Sequence, residues 1–337
     1  MKETKMSRYA LPLAALLALA SCDGAAIIKA GTPDPDLTTE LPPGTTNPTA
    51  SRGIKRYEAE TTDGSGYAQD FTYNAAADTF TVDNLAFDGD NTYTRLTALG
   101  ALNPGPFRVY EGPASTPDSV TGAAIPQFLH RAILGTSTSG EVEFAIVRTG
   151  SYVNYGFGGF VYSRKGKVTL PLPSTGQARF EGDYLALRDF TGRSGIEYAT
   201  GDMTVDIDFA DFNDGRAVKG SVSNRKVYDV NGTDITAQVV AGMQDTFDNP
   251  AISVLPTLVF AVGPGHVDNA GEIAGDLASH VRNGDGQDEL YESGNYYALL
   301  SGEGVDEVVG IIVVTAEDAR YKNVTVRETG GFILTRP

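Results

Sequence analysis

The chain has 337 residues, of which 41% are hydrophobic and 20% are charged. That apolar share is enough for a packed core, so a wholly disordered chain is excluded. Acidic residues outnumber basic ones by 43 to 26, and the net charge of −17 disfavours nucleic acid binding, which needs clustered cations. The single cysteine excludes an intrachain disulfide and any zinc or iron–sulfur site built from several cysteines.

The first 21 residues have the pattern of a secretory signal peptide. Lys2, Lys5 and Arg8 precede a charge-free apolar run at residues 9–20, which is too short for a permanent membrane span. The only cysteine, Cys22, follows directly in Leu-Ala-Ser-Cys, which resembles a bacterial lipobox. We therefore expect Cys22 to carry palmitate-type acyl chains that hold the protein on a membrane. The alternative is an ordinary cleavage site with a chance cysteine nearby.

Residues 22–53 are predicted to be the lipidated cysteine followed by a disordered tether. The segment is rich in proline, threonine and glycine and contains no aromatic residue. Such a composition favours extended, solvated backbone over packing. We expect the tether to lift the folded part off the membrane.

From residue 54 onward the sequence predicts β-structure. Short runs rich in Val, Ile, Thr, Tyr and Phe alternate with polar residues and end at Asn-Gly or Asp-Gly turns. The first part, residues 54–170, is predicted to be a small antiparallel β-domain. Its clearest strands are at 79–82, 107–111, 142–148 and 157–163, and a short helix is predicted at 125–134.

One aromatic stretch within this first domain, at residues 152–162, is the best candidate for ligand contact. Tyr152, Tyr155 and Phe157 alternate with glycines, and tyrosine-rich surfaces favour binding. Phe160 and Tyr162 should share one face of a strand. The alternative is that all these rings fill the core of the domain.

A boundary is predicted near Pro171 and Pro173, because two prolines this close do not fit inside a central strand. Residues 171–337 are then predicted to form an eight-stranded antiparallel β-barrel, which removes the exposed sheet edges. A two-sheet sandwich is the alternative. The eight strands are predicted at 177–187, 202–209, 216–227, 255–262, 272–278, 295–301, 307–315 and 329–336, with a short helix at 235–244.

The order of motifs in this second part resembles the barrel domain of transferrin-binding protein B-like lipoproteins. Residues 172–184, with Gln-Ala-Arg-Phe-Glu-Gly-Asp-Tyr, are similar to the family's first barrel strand. Residues 201–209 and 218–222 are similar to its second and third strands. The runs Val-Gly-Ile-Ile at 309–312 and Thr-Gly-Gly-Phe at 329–332 are similar to its last two.

The resemblance covers residues 172–336, and residues 57–167 are compatible with the "handle" domain that precedes the barrel in this family. It implies surface capture of a macromolecule that often carries metal or haem, in partnership with an outer-membrane transporter. The chain departs from the family in having one lobe where full receptors have two. It also has Ile311-Ile312 where an aromatic residue usually follows the penultimate strand's glycine.

The sequence gives little sign of catalysis. It contains no His-Glu-x-x-His, Gly-x-Ser-x-Gly or phosphate-loop motif, so we predict neither an enzyme nor a cofactor or metal site. Among the three histidines, His130 is expected to be structural, and His266 and His280 could meet only across a hairpin. The polar loop at 282–292 contains Asp285 and Asp288, which we expect either to contact a ligand or to be solvated turn residues.

Taken together, these features predict a non-enzymatic, lipid-anchored envelope protein of a Gram-negative bacterium, in the outer membrane. It would capture a protein ligand or a metal or haem carrier as an accessory to an outer-membrane uptake system. The alternative is a structural or adhesive lipoprotein with no transported cargo.

Overall fold

A computed structural model describes residues 39–62, 64–83, 85, 92–102, 105–170, 176–209 and 216–337. The predicted signal peptide, Cys22 and most of the predicted tether lie outside the described residues. Within the described part, no helix is both long and apolar enough to cross a membrane.

The N-terminal part is a curled antiparallel sheet of eight strands, with a separate two-stranded hairpin. In chain order the ten strands are β1 Ile54–Tyr57, β2 Phe71–Asn74, β3 Thr79–Val82, β4 Thr92–Arg95, β5 Phe107–Glu111, β6 Ser115–Pro117, β7 Ala124–Pro126, β8 His130–Thr136, β9 Val142–Thr149 and β10 Gly158–Arg164, with a single 3₁₀ turn at Gly100–Leu102. The sheet order is β1-β10-β9-β8-β5-β4-β3-β2, and β6 pairs with β7.

The helix predicted at residues 125–134 is wrong, because this segment contributes to β7 and β8. β8 pairs with β5 on one side and β9 on the other, and it is buried on both faces. Ala132 and Leu134 pack on one side of the sheet and Ile133 on the other. A strand buried on both faces has a continuous apolar sequence, which periodicity alone does not distinguish from a buried helix.

The C-terminal part is a closed antiparallel barrel. Its elements are β11 Gln177–Thr191, β12 Glu197–Asp208, β13 Arg216–Tyr228, α1 Thr236–Thr246, β14 Leu258–Phe260, β15 Gly263–Val267, β16 Glu272–Arg282, β17 Asp288–Ser301, β18 Glu307–Glu317 and β19 Thr325–Thr335. Apart from β14 and β15, which do not pair with each other, each strand pairs with its neighbour in sequence, and β19 returns to pair with β11.

The barrel has eight strand positions, because β14 and β15 share one of them. Both short strands pair with β13 on one side and β16 on the other. The predicted all-β fold class with an eight-stranded antiparallel barrel is therefore confirmed, and so is the short helix that begins near residue 235. The strands predicted at 202–209 and 216–227 pair with each other, with Val205 opposite Gly220 and Ile207 opposite Val218.

The N-terminal sheet packs one face against the outside of the barrel wall. The Phe144 side chain is fully buried in this interface, 5.6 Å from the ring of Phe107. A Cβ atom added at Gly331 of β19 would lie 2.1 Å from the Phe144 ring, and one added at Gly135 would lie 2.3 Å from it. The absence of side chains at these two positions is what lets the sheet and the barrel approach so closely.

The helix α1 covers one end of the barrel, and a layer of buried charges lies between it and the apolar barrel interior. Arg225 donates to Glu292 at 2.6 and 2.8 Å and to Glu328 at 3.0 and 3.1 Å. Arg188 donates to Glu197 at 2.9 Å. Because each of these carboxylates accepts from an arginine, the layer satisfies the requirement that buried charges be paired.

The last part of the predicted tether differs from the expectation of a disordered segment. Residues 39–52, which we call the strap, are hydrogen-bonded to the N-terminal sheet. The amide of Tyr57 donates to Pro43 O at 3.0 Å, Thr45 and Lys55 exchange hydrogen bonds, and Arg164 donates to Thr49 O at 3.1 Å. The strap orders because its backbone groups find partners on β1 and β10, which composition does not reveal.

Candidate ligand-binding site

An open pocket of about 510 Å³ lies beside the loop that joins β9 to β10. We call it the aromatic pocket. Its lining residues are Thr62, Gly64, Tyr152, Asn154, Tyr155, Phe157 and Thr191. Three of the five residues proposed from sequence for ligand contact, Tyr152, Tyr155 and Phe157, are thus brought together here.

The rings on this face extend beyond the pocket. Tyr67 meets Phe157 edge to face with centroids 5.0 Å apart, and Phe157 meets Tyr152 in the same way at 5.2 Å. Tyr152 then meets Phe128 at 5.2 Å. Each pair has the edge-to-face geometry that aromatic rings prefer, so the four rings form one continuous, mutually supported row.

Tyr155 connects the pocket to the barrel. The Arg327 guanidinium lies 4.4 Å from the centre of the Tyr155 ring, and Thr191 at the end of β11 lines the same pocket as Tyr155. Burial raises the pKa of Tyr155, so its hydroxyl stays protonated at neutral pH. This side chain is half-buried and holds the loop and the barrel together as well as lining the pocket.

The charged groups beneath the pocket are paired with one another. Arg327 donates to Asp189 at 2.5 and 3.0 Å and to the Ser65 hydroxyl at 2.6 Å. Arg148 donates to Glu58 at 2.8 and 2.9 Å. Burial opposes ionisation of Glu58, but Arg148 outweighs it, and the pKa of Glu58 lies below its usual range. These charged groups are therefore paired with one another, and none of them lines the aromatic pocket.

The loop that carries Tyr152 and Tyr155 is fixed against a turn of the barrel. Gly192 N donates to Val153 O and Gly195 N donates to Gly150 O, both at 2.8 Å. A Cβ atom at Gly150 would lie 2.7 Å from the backbone carbon of Gly195, so only glycine permits this approach. The barrel therefore positions the aromatic loop.

The aromatic stretch at 152–162 divides into two parts. Phe160 and Tyr162 share a face of β10, as predicted, and both are buried in the interface between the sheet and the barrel. Phe160 and Tyr162 are therefore core residues, which is the alternative that the sequence had left open for the whole stretch. Tyr152, Tyr155 and Phe157 are only partly buried.

Asp285 and Asp288 lie elsewhere on the surface, in the hairpin between β16 and β17. Both are exposed, and neither lines the aromatic pocket. Within the turn, Asn283 accepts from Gln287 N at 2.9 Å, and Gly284 N donates to Phe247 O at the end of α1. These contacts are those of a solvated hairpin turn next to the helix.

The histidines have structural surroundings. His130 is buried, its Nδ1 lies 3.0 Å from Phe128 O, and burial lowers its pKa. His266 is buried, and its Nδ1 lies 3.0 Å from the Ala274 carbonyl of β16. His280 is exposed and lies on β16, six residues after Ala274. Six residues span about 20 Å along a strand, so His266 and His280 do not form a shared site. Among the described residues, no group of three or more His, Cys, Asp or Glu side chains could hold a metal ion.

Sequence reasoning missed the residues that complete the pocket from other elements. Thr62 follows β1, Tyr67 precedes β2, Phe128 precedes β8 and Thr191 ends β11. No local pattern distinguishes these residues, because they reach the pocket only through the pairing of strands far apart in sequence. The arginines Arg148 and Arg327, each next to an apolar residue in its strand, are the one signal that could have indicated buried ion pairs near the site.

No family model matches the chain, and no curated protein matches it. Among solved structures, it is similar to a double mutant of Transferrin Binding Protein B from Haemophilus parasuis Hp5, with 10% identity and a TM-score of 0.36. That similarity covers 77% of this chain and 41% of the other. The intact structure named Ap-TbpB, with N and C lobes, has 11% identity and a TM-score of 0.33, covering 70% of this chain and 39% of the other. The chain spans about two-fifths of the length of these relatives.

Proposed function

We propose that this chain is a lipid-anchored envelope protein that captures a macromolecular ligand through the aromatic pocket and performs no catalysis. The observation that supports this most is the row of four partly buried rings, two of which lie on the β9–β10 loop that the barrel holds. Binding sites are commonly concave, lined by aromatic side chains and a few polar groups, and placed on loops that a rigid scaffold positions.

The domain organisation that we propose has three parts. Cys22 carries the lipid, residues 54–170 form a handle-like domain that bears the pocket, and residues 171–337 form the barrel that supports it. The protein would lie in the outer membrane and act as an accessory to an uptake system, with a protein or a metal or haem carrier as its ligand. A structural or adhesive role without transported cargo is the second candidate.

Asp285 and Asp288 are proposed as a second, weaker contact. They are exposed on a chain with a net charge of −17, and such a surface favours a basic patch on its partner. Contacts of this kind speed association at low salt more than they stabilise the complex.

The test uses the full chain and Tyr152→Ala, with Tyr321→Ala as the matched control because Tyr321 is a 46% exposed tyrosine outside the pocket. Iron-loaded transferrin and haemoglobin are the soluble probes, and intact host cells and matrix proteins are the probes for adhesion. We expect Tyr152→Ala to weaken binding of a soluble probe about tenfold or more, as for aromatic anchors in other interfaces, and Tyr321→Ala to leave it unchanged.

The alternatives give different results. Binding to cells or matrix alone would favour the adhesive role. Unchanged binding by Tyr152→Ala would contradict capture through the aromatic pocket. Neutralising Asp285 and Asp288 together by asparagine should slow association at low salt and have little effect at high salt.

A further inference from the structure

The aromatic pocket has polar groups on its rim that no other group in the described protein uses. Asn154 and Thr62 are exposed, and their side chains make no hydrogen bond with the described residues. Together they offer an amide and a hydroxyl, each able to donate and to accept. The Thr191 hydroxyl, next to the Tyr155 hydroxyl, adds a third polar group at the edge.

A cationic ligand does not suit this pocket. Aromatic cages bind cations through the negative faces of their rings, but a face of Tyr155 is already covered by the Arg327 guanidinium at 4.4 Å. Because Arg327 is paired with Asp189 and held in place, that face of Tyr155 is not available to a second cation.

An anionic ligand lacks a partner here. Arg327 lies beneath the pocket, but both arms of its guanidinium donate to Asp189 and Ser65, and its side chain is only 7% exposed. Binding an anion through Arg327 would require breaking a buried, bidentate ion pair, which is costly. None of the described lining residues is lysine, arginine or histidine.

A purely apolar ligand would also be unfavourable. Covering the rim would remove water from the Asn154 amide and the Thr62 hydroxyl without replacing the hydrogen bonds that they make with it. The ligand chemistry that matches the pocket is therefore neutral, rich in hydroxyl groups and able to lie against an aromatic ring.

We propose that the aromatic pocket binds a neutral glycan, so that the ligand captured by this protein is a glycan or a glycosylated macromolecule. The C–H groups on one face of a sugar ring carry slight positive charge and suit the negative face of the rings of Tyr152 and Phe157. The sugar hydroxyls would pair with Asn154, Thr62 and Thr191. The volume of about 510 Å³ lies in the range of small-ligand sites. This inference rests on the proposed function, since it names the ligand class for the same pocket.

The experiment measures saccharide binding to the full chain by ligand-observed NMR and calorimetry. The neutral probes are maltotriose, cellotriose, mannotriose and N,N′-diacetylchitobiose. Choline is the cationic probe and hexaproline is the peptide probe. We expect at least one neutral saccharide to bind, with affinity about tenfold lower in Tyr152→Ala and about threefold to tenfold lower in Asn154→Ala. Tyr321→Ala, the matched control, should bind as the unchanged chain does.

The outcomes separate this inference from the proposed function. The glycan assignment would be overturned by any of three results. No saccharide binds, choline or hexaproline binds in place of the saccharides, or a saccharide binds equally well to Tyr152→Ala. If saccharides fail while Tyr152→Ala still abolishes capture of a protein probe, only the ligand class is wrong. If Tyr152→Ala changes neither saccharide binding nor capture of a protein probe, both proposals are wrong. Thermal unfolding of each variant, with an unchanged midpoint, establishes that the losses come from the pocket.

Discussion

Replacing Phe144 with alanine tests whether the N-terminal sheet and the barrel form one cooperative structure. The ring is fully buried between them, against Phe107 on one sheet and Gly331 on the other. Removing a buried phenylalanine typically costs about 3–5 kcal/mol. We expect the upper part of that range, because the glycines at 135 and 331 have no side chain that could fill the cavity. Such a loss is a large fraction of the 5–15 kcal/mol typical of a folded protein.

A second substitution makes this prediction specific to the contact. Gly331→Ala alone should destabilise by about 1–3 kcal/mol, because the new methyl group would lie 2.1 Å from the Phe144 ring. Gly331 does not have a positive φ, so alanine fits its backbone. In the Phe144→Ala background the same methyl group enters the cavity, and it should cost nothing or recover about 1 kcal/mol. The double-mutant coupling should therefore be at least about 1 kcal/mol.

Urea unfolding measures these changes. The chain has no tryptophan, so circular dichroism and tyrosine fluorescence are the two probes. Both should follow one transition that moves to lower urea in Phe144→Ala. Three results would refute this prediction. The free energy of unfolding of Phe144→Ala falls by less than about 1 kcal/mol, the effects of the two substitutions are additive, or the two probes follow separate transitions.

Two further predictions concern the anchor and the response to acid. Cys22→Ala should release the protein from membranes, and mass spectrometry of the wild-type N-terminus should show acyl groups on Cys22; a soluble, unmodified wild-type form would contradict the anchor. For acid, the pKa values of Glu58, Glu292 and Asp318 are lowered in the folded state, against burial, by paired arginines. Their contribution to stability is therefore complete above the unfolded pKa values of about 4 to 4.5 and is lost as the pH falls below them. The urea midpoint should decline below about pH 4.5, with a shallower decline in Glu58→Gln, whereas a midpoint that is constant down to pH 3.5 would contradict this assignment.

The barrel could be predicted well from the sequence because its strands alternate. The run 203–209 places apolar residues on one face, and the period of two fixes which residues point inward. Segments buried on both faces are harder to predict, as β8 shows, because they lack the alternation of apolar and polar residues that separates a strand from a helix. β15 was missed since Gly263, Pro264 and Gly265 provide no apolar alternation at all.

The candidate site was predicted only where its residues are adjacent in sequence. Tyr152, Tyr155 and Phe157 lie within six residues of one another, and their composition singles them out. Thr62 and Thr191 reach the same pocket from β-strand ends that only tertiary pairing brings together. The ion pairs beneath it, such as Glu58 with Arg148, join residues 90 positions apart, and charge composition does not reveal such partners.

The strap has a mechanical consequence. A pull on the chain from its N-terminal side reaches the bonds of residues 39–52 before it reaches any strand of the barrel, and it loads the bond between Tyr57 N and Pro43 O early. Behind it, Arg56 joins β1 to the barrel through Glu272 at 2.7 and 2.8 Å, so the two sheets share the load. Detaching the 14 residues of the strap would lengthen the chain before β1 by at most about 46–50 Å, at roughly 3.3–3.6 Å for each residue. The strap would then be an extensible segment that detaches under load before the strands of the barrel do.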